Sequence, residues 1–177
     1  MRFERPRFIH SQLLFDWRND PVTRRNSFNT EPVSWDEHTR WLEFKLWSGA
    51  YLYLIIENKP IGVLRFDQAE NSNTCEMSIT IAPEMRGRGL GSRAIREGAR
   101  WFLENDGKRF RVIKARVKDD NVASMKAFTE AGFIWTQCLG NSNVYTFSRD
   151  DGARSLGNHD KVRNGLPLTE PSTRRNV

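Results

Sequence analysis

The densest chemical signal in the chain is the run from Arg86 to Gly91, RGRGLG. It follows an alternation in which Met77, Ile79 and Ile81 interleave with Glu76, Ser78 and Thr80, a pattern that predicts a strand. After it, Leu90, Ala94, Ile95 and Ala99 recur at the spacing of an amphipathic helix. A strand, a glycine-rich turn and a helix start together make an anion site. The glycines let the backbone approach a phosphate, and the first-turn N–H groups and helix dipole favour negative charge. Arg86 and Arg88 add guanidinium groups suited to phosphate oxygens. Arg86, Gly87, Arg88, Gly89, Leu90, Gly91 and Ser92 are therefore expected to hold a pyrophosphate.

Three glycine-rich patterns compete for this stretch. A nucleoside-triphosphate loop needs Lys-Ser or Lys-Thr after its glycines, and neither is present. Gly89, Gly91 and Ala94 satisfy the dinucleotide pattern, but Ala82 to Arg88 separates them from the strand. That pattern also wants an acidic residue about 20 positions on, at the end of a second strand, and none is there. The third pattern, R-x-x-G-x-G, is met by Arg86, Gly89 and Gly91 and resembles the acetyl-CoA loop of the GNAT superfamily of N-acetyltransferases. A second segment strengthens the resemblance. Asn121 to Phe133, NVASMKAFTEAGF, follows a strand-like run and looks like the superfamily's other cofactor segment. Asn121 is a good N-cap, and Gly132 suits a left-handed position just past a helix.

The resemblance implies acetyl-CoA as co-substrate, with Asn121, Ser124 and Phe128 beside its pantetheine arm. It also implies that a backbone N–H in the Ile79–Thr80–Ile81 region polarises the thioester carbonyl. A primary amine is mostly protonated at pH 7, so a base is needed. Glu76 is the first candidate, sharing a strand face with Thr74, Ser78 and Thr80; Thr74 and Ser78 are alternatives acting through water. Many family members protonate the departing thiolate with a Tyr where this chain has Phe128. Tyr145 or water replaces it, or the thiolate leaves unaided, since a thiol pKa of roughly 8.5 makes that tolerable.

Other elements must position these groups. A first strand is expected over residues 2–8, and Ser11 to Asn19 reads as a helix ended by Pro21. Ser34 and Glu37 form a capping box at the head of a helix carrying His38, Trp41, Leu42 and Leu46. Three strands follow (Tyr51 to Glu57, Pro60 to Asp67, and the strand of Glu76), then the helix from Leu90, a strand over Arg111 to Val117, and the Asn121 helix. Two last strands, Phe133 to Leu139 and Val144 to Phe147, flank a turn at Gly140 to Asn143. The expected class is α/β (α+β), a mixed, mostly antiparallel, splayed sheet with helices on both faces. Within the superfamily the first helices wall the acceptor side, which makes Arg18, Asn19 and His38 candidate substrate contacts. Arg24 and Arg25 read as solvated loop charges or as contacts to anionic acceptor groups. WRNDP, Ser34-x-x-Glu37-His38 and Thr74-Cys75-Glu76 resemble the subgroup of amino-sugar N-acetyltransferases of pseudaminic-acid biosynthesis. That resemblance implies acetylation of the 4-amino group of a UDP-linked dideoxy sugar. Protein N-termini, aminoglycosides and a non-catalytic acetyl-CoA-binding module are the alternatives.

Composition narrows the rest. At 177 residues the chain is one domain's worth. The formal charge of +6 is dispersed, without the aromatic-interleaved basic stripe of an RNA-binding sheet, so nucleic acid is not an expected partner. No run approaches the roughly 18 apolar residues of a membrane span, and the N-terminus has no signal-like apolar stretch. A cytoplasmic protein with a small-molecule amine acceptor and no membrane partner is expected, and a homodimer is compatible with it. Cys75 and Cys138 are expected to be reduced, buried thiols, and no metal site is expected. The acetyltransferase domain is expected over 1–148. Residues 149–177, with six Lys or Arg against four Asp or Glu, read as a flexible basic tail.

Overall fold

The computed structural model describes residues 1–69 and 73–149. The chain opens with β1 (Arg2–Glu4), a 3-10 turn (Phe8–His10), α1 (Ser11–Asn19), α2 (Pro21–Asn26) and α3 (Trp35–Trp47). A three-strand meander follows: β2 (Tyr51–Ile56), β3 (Pro60–Gln68) and β4 (Thr74–Ile81). After it come α4 (Leu90–Glu104), β5 (Val112–Lys118), α5 (Val122–Glu130), β6 (Ile134–Leu139) and β7 (Ser142–Ser148). The seven strands form one sheet in the order β1-β2-β3-β4-β5-β7-β6. Only β4 and β5 run parallel, and α4 makes the crossover between them.

Both faces of the sheet are covered, but unequally. The helix predicted from Leu90 buries Ala94, Ile95, Ala99 and Phe102 against Leu64, Phe66, Met77 and Ile113 on one face. Phe66 and Phe102 stack there with ring centroids 3.9 Å apart. On the other face, α1 and α3 cover β2 with Leu14, Trp17 and Leu42 over Leu52, Leu54 and Ile56. Because β2 is buried on both sides, its sequence is continuously apolar instead of alternating. That second cover is centred on β2 and β3. Farther along, the same face carries Glu76, Lys114 and Arg116, which are exposed.

Several expectations are corrected. The first strand ends at Glu4, because Pro6 and the 3-10 turn at Phe8–His10 redirect the chain toward α1. Pro21 begins a second helix: Asp20 caps α2 by accepting the Thr23 N–H, with Pro21 at the first helical position. Arg24 and Arg25 are thus helical. The last hairpin is tighter than expected, since β7 resumes at Ser142 and Gly140 takes φ +59 at the turn. Cys75 is buried, which pushes its thiol up to about 12, but Cys138 lies exposed on the edge strand β6. Arg149, expected to start a flexible tail, is anchored instead: its guanidinium donates to the carbonyls of Leu103, Lys108 and Phe110. Residues 150–177, and with them the rest of the expected tail, lie outside the described residues.

Gly62 shows how closely β3 and β4 are fitted beside the glycine-rich loop. It pairs with Ile81, and a Cβ there would overlap the Thr80 backbone carbonyl. Backbone cannot yield as a side chain does. Gly62→Ala is expected to destabilise the protein by about 1–3 kcal/mol, measured by urea unfolding; an unchanged midpoint would contradict this fit.

Candidate active site

The parallel pairing between β4 and β5 lasts only from Thr74–Val112 through Glu76–Lys114. Beyond it β4 continues to Ile81 and β5 to Lys118 with no pairing between them. The strands therefore separate at Glu76, leaving the edges of both without each other as hydrogen-bond partners. Ile79, Thr80 and Ile81 are half-buried in the separated part of β4. Between β4 and α4, a 3-10 turn at Pro83–Met85 precedes the glycine-rich loop.

Gly87 and Gly89 adopt φ +74 and +69, in the left-handed region that disfavours other residues. No atoms lie within 4 Å of where their Cβ atoms would be, so conformation rather than crowding demands glycine. Gly89 is the N-cap of α4 and supplies no side-chain cap. The first-turn N–H groups of this 15-residue helix are left without a side-chain cap, at the positive end of its dipole. Gly91 sits where α4 meets its neighbours, and a Cβ at this position would lie 4.0 Å from both the Ala127 and Ile81 side chains. Leu90 packs against the core, the Ser92 hydroxyl donates to Gly89 O at 3.2 Å, and Arg88 is exposed. These residues fit a pyrophosphate.

Arg86 has a different task from the one expected. Its Nη1 lies 2.7 Å from Asp20 Oδ1, its Nη2 donates to Thr23 Oγ1 at 2.7 Å, and its Nε donates to Ile81 O at 3.2 Å. Its donors brace the end of β4 against α2, which makes it a positioning residue for the loop. Burial opposes ionisation of Asp20, but the Thr23 N–H and the Arg86 guanidinium outweigh it and hold the carboxyl below its ordinary range.

At the end of β5, buried Asn121 caps α5, accepting the Ser124 N–H at 3.1 Å. Phe128 is buried, edge-on to Phe133 at 5.1 Å and stacked on Tyr145 at 6.2 Å. Tyr145 pairs with Ala115 while Glu76 pairs with Lys114, so they occupy opposite faces of the sheet. Its expected role as a replacement acid is corrected to a core position against Phe128.

Glu76 faces open solution, its side chain 47% exposed, with Arg116 Nε 4.0 Å away. It borders a cleft of about 140 Å³ whose walls include Lys114, Arg116, Gln137 and Leu139. Thr74 is buried and its hydroxyl donates to Asn73 Oδ1 at 3.3 Å, whereas Ser78 is half-buried opposite Arg65. Of the two hydroxyls, Ser78 is the one left on the open side.

The three expected substrate contacts have structural partners. Arg18 Nη2 donates to the carbonyls of Asn29 and Glu31, shaping the segment between α2 and α3. Asn19 exchanges two 2.9 Å bonds with the Val33 backbone. His38 is buried, and its Nε2 donates to Ser11 O at 3.0 Å. Burial, with the Arg18 charge, pushes its pKa down against that bond, which holds the ring neutral in the α1–α3 packing. Its substrate-contact expectation is therefore corrected to packing. Sequence reasoning missed Asp20, Thr23, Lys114 and Arg116. Lys114 and Arg116 were discernible as the outward positions of an alternating strand, but nothing local placed them beside Glu76. Phe28 completes that side, lying under the Arg116 guanidinium at 4.3 Å, and Lys118 donates to Arg25 O at 2.8 Å. Among the described residues, no group of three or more His, Cys, Asp or Glu is placed to hold a metal ion, and no helix is long and apolar enough to cross a membrane.

Residues 2–134 match the acetyltransferase (GNAT) domain, and the chain belongs to that family. The class this defines is the acetyl-CoA-dependent N-acetyltransferases. The chain is 27% identical over 141 residues to an uncharacterised protein of Methanocaldococcus jannaschii, an alignment covering 77% of this chain and 28% of that protein. It therefore spans less than a third of that relative's length. Similar folds include a GNAT-family acetyltransferase from Bacillus anthracis, with TM-score 0.72, 15% identity and coverage of 84% and 94% of the two chains. Aminoglycoside acetyltransferase AAC(6')-Ib in complex with coenzyme A gives 0.75, at 14% identity, covering 88% and 98%. Ribosomal-protein-alanine N-acetyltransferase from Brucella melitensis gives 0.67, at 16% identity, covering 84% and 99%.

The Asp20–Arg86 brace has a pH signature. With its folded pKa depressed, Asp20 contributes fully above the unfolded value of about 3.9, and that contribution is lost as pH falls through the folded value. Asp20→Asn is expected to flatten the acid limb of stability against pH. Asp20→Asn and Arg86→Ala should each weaken acetyl-CoA binding, and the double variant should match the worse single one. Additive losses in titration calorimetry would show that the two act separately.

Proposed function

We propose that this enzyme moves an acetyl group from acetyl-CoA directly to a primary amine, the 4-amino group of a UDP-linked amino-dideoxy sugar. The observation that carries the reading is Glu76, an exposed carboxylate at the point where β4 and β5 part, between an uncapped helix N-terminus and a polar sheet face. Acetyl-CoA supplies the activated thioester. The Gly87–Ser92 stretch holds its pyrophosphate, and the α5 side, with Asn121 and Ser124, flanks the pantetheine arm. A backbone N–H in the Ile79–Ile81 region donates to the acyl oxygen. Glu76 takes the proton from the incoming ammonium, directly or through water held by Ser78, and the thiolate leaves without an acid because Phe128 has none to give.

The nucleotide sugar is favoured by charge. Lys114 and Arg116 flank Glu76, which suits an acceptor bearing phosphate and opposes a polycationic aminoglycoside. Acetylation of a protein N-terminus is the second reading, supported by the fold shared with the Brucella melitensis enzyme.

Glu76→Gln is expected to lower kcat by about a hundredfold or more, with acetyl-CoA affinity intact. The assay is acetyl-CoA-dependent CoA release with a UDP-4-amino-dideoxy sugar, N-terminal peptides and aminoglycosides in parallel. Turnover confined to a peptide or drug would reject the nucleotide sugar, and an unchanged kcat would reject Glu76 as the base.

A further inference from the structure

We propose that two copies of this chain pair through β6, antiparallel and across a twofold axis, so that their sheets join into one. β6 ends the sheet order, so its outer N–H and C=O groups have no strand beside them. All six of its residues are exposed, and Ile134, Trp135 and Leu139 are each more than half exposed. Natural sheets blunt such an edge with charge, proline or brevity. The opposite edge does so, since β1 has three residues and two of them are Arg2 and Glu4. β6 has none of these devices. Residues 131–148 carry no charged side chain at all, in a chain that is 28% charged.

The side-chain pattern selects the register. Ile134, Gln137 and Leu139 pair with Thr146, Val144 and Ser142, which puts them on the sheet face of Glu76. Trp135 and Cys138 pair with Tyr145 and Asn143 on the other face, and Thr136 is the extra residue of a bulge between them. A twofold axis perpendicular to the sheet, between Thr136 and Gln137, sets Ile134 opposite Leu139 of the second copy. The same axis sets Trp135 opposite Cys138 of the second copy. Each apolar residue then meets an apolar or sulfur partner on its own face, twice over by symmetry. Such a contact also brings side chains close to their own copies, where like charges repel, and an uncharged strand avoids this. The exposed apolar residues of α3, Phe44 and Trp47, lack that match. Arg40 and Glu43, one turn before them, are exposed on the same helix face, and a helix has no unpaired backbone edge. A strand edge about 20 Å long with these side chains falls at the low end of specific interfaces, roughly 1,200 Å² in total, so the pairing is reversible. It leaves both Glu76 clefts on the same side of the joined sheet.

The full chain is sedimented at concentrations from about 1 to 200 μM, a range that spans a micromolar dissociation constant. A reversible rise from monomer to dimer, and no further, is expected. Ile134 is the position to change, since Leu139 also lines the Glu76 cleft. Ile134→Lys is expected to weaken the dimer at least about tenfold, whereas Trp47→Lys on α3 leaves it unchanged. The register has its own reporter. Cys138 is exposed and Cys75 buried, and the pairing sets the two copies of Cys138 about 11 Å apart. A bismaleimide of that span is expected to link the wild type into a dimer on a denaturing gel, but to link neither Cys138→Ser nor Ile134→Lys. A monomer at every concentration, or a dimer that Ile134→Lys leaves intact, overturns the proposal. So does a dimer that Trp47→Lys dissolves, or one that the bismaleimide fails to link.

Discussion

The parting of β4 from β5 is the constraint on which the rest of the molecule depends. A parallel pair joined by a helix would ordinarily keep its ladder to the end of the shorter strand, but here it stops at Glu76 and Lys114. Past that point each strand keeps its other neighbour, β3 for β4 and β7 for β5, so the gap opens without either strand losing its place. The unpaired edges become a slot with hydrogen-bonding walls. At the far end of β4 the glycine loop leads into the uncapped start of α4, and at the far end of β5 Asn121 caps α5. Both helices therefore begin beside the slot.

An opening of this kind has to be held open. Part of the bracing comes from WRNDP, whose five residues each have a separate mechanical task. Trp17 is buried in the cluster beneath α3, Arg18 and Asn19 hold the backbone of residues 29–33, Asp20 caps α2, and Pro21 starts it. Asp20 also carries Arg86, and through Arg86 the end of β4. One ion pair thereby joins the start of α2 to the glycine-rich loop. The motif thus ties α1, α2 and the segment of residues 29–33 to one another.

The unequal cover of the sheet explains where chemistry is exposed. α4 and α5 seal one face along its length, so Phe128 and Tyr145 are packed together and remote from water. On the other face α1 and α3 lie over β2 and β3, while β4 and β5 present Glu76, Lys114 and Arg116. The charged side chains stay in water on the uncovered side, and the hydrophobic burial that stabilises the domain is completed elsewhere.

Local patterns determined much of this protein unaided. Period-two and period-3.6 apolar spacing located most strands and the main helices, Ser34 and Glu37 marked the start of α3, and Gly132 announced left-handed backbone. These signals are legible because each arises from neighbours in sequence. Tertiary structure alone decided what depends on distant partners. Arg86 looks like a phosphate ligand until Asp20, 66 positions earlier, takes its charge. Cys138 looks like core until its strand falls at the sheet edge. His38 resembles a contact residue until Ser11 claims its ring nitrogen. A side chain's type states which bonds it can make. Which of them it makes is settled by the groups that folding brings within about 3 Å.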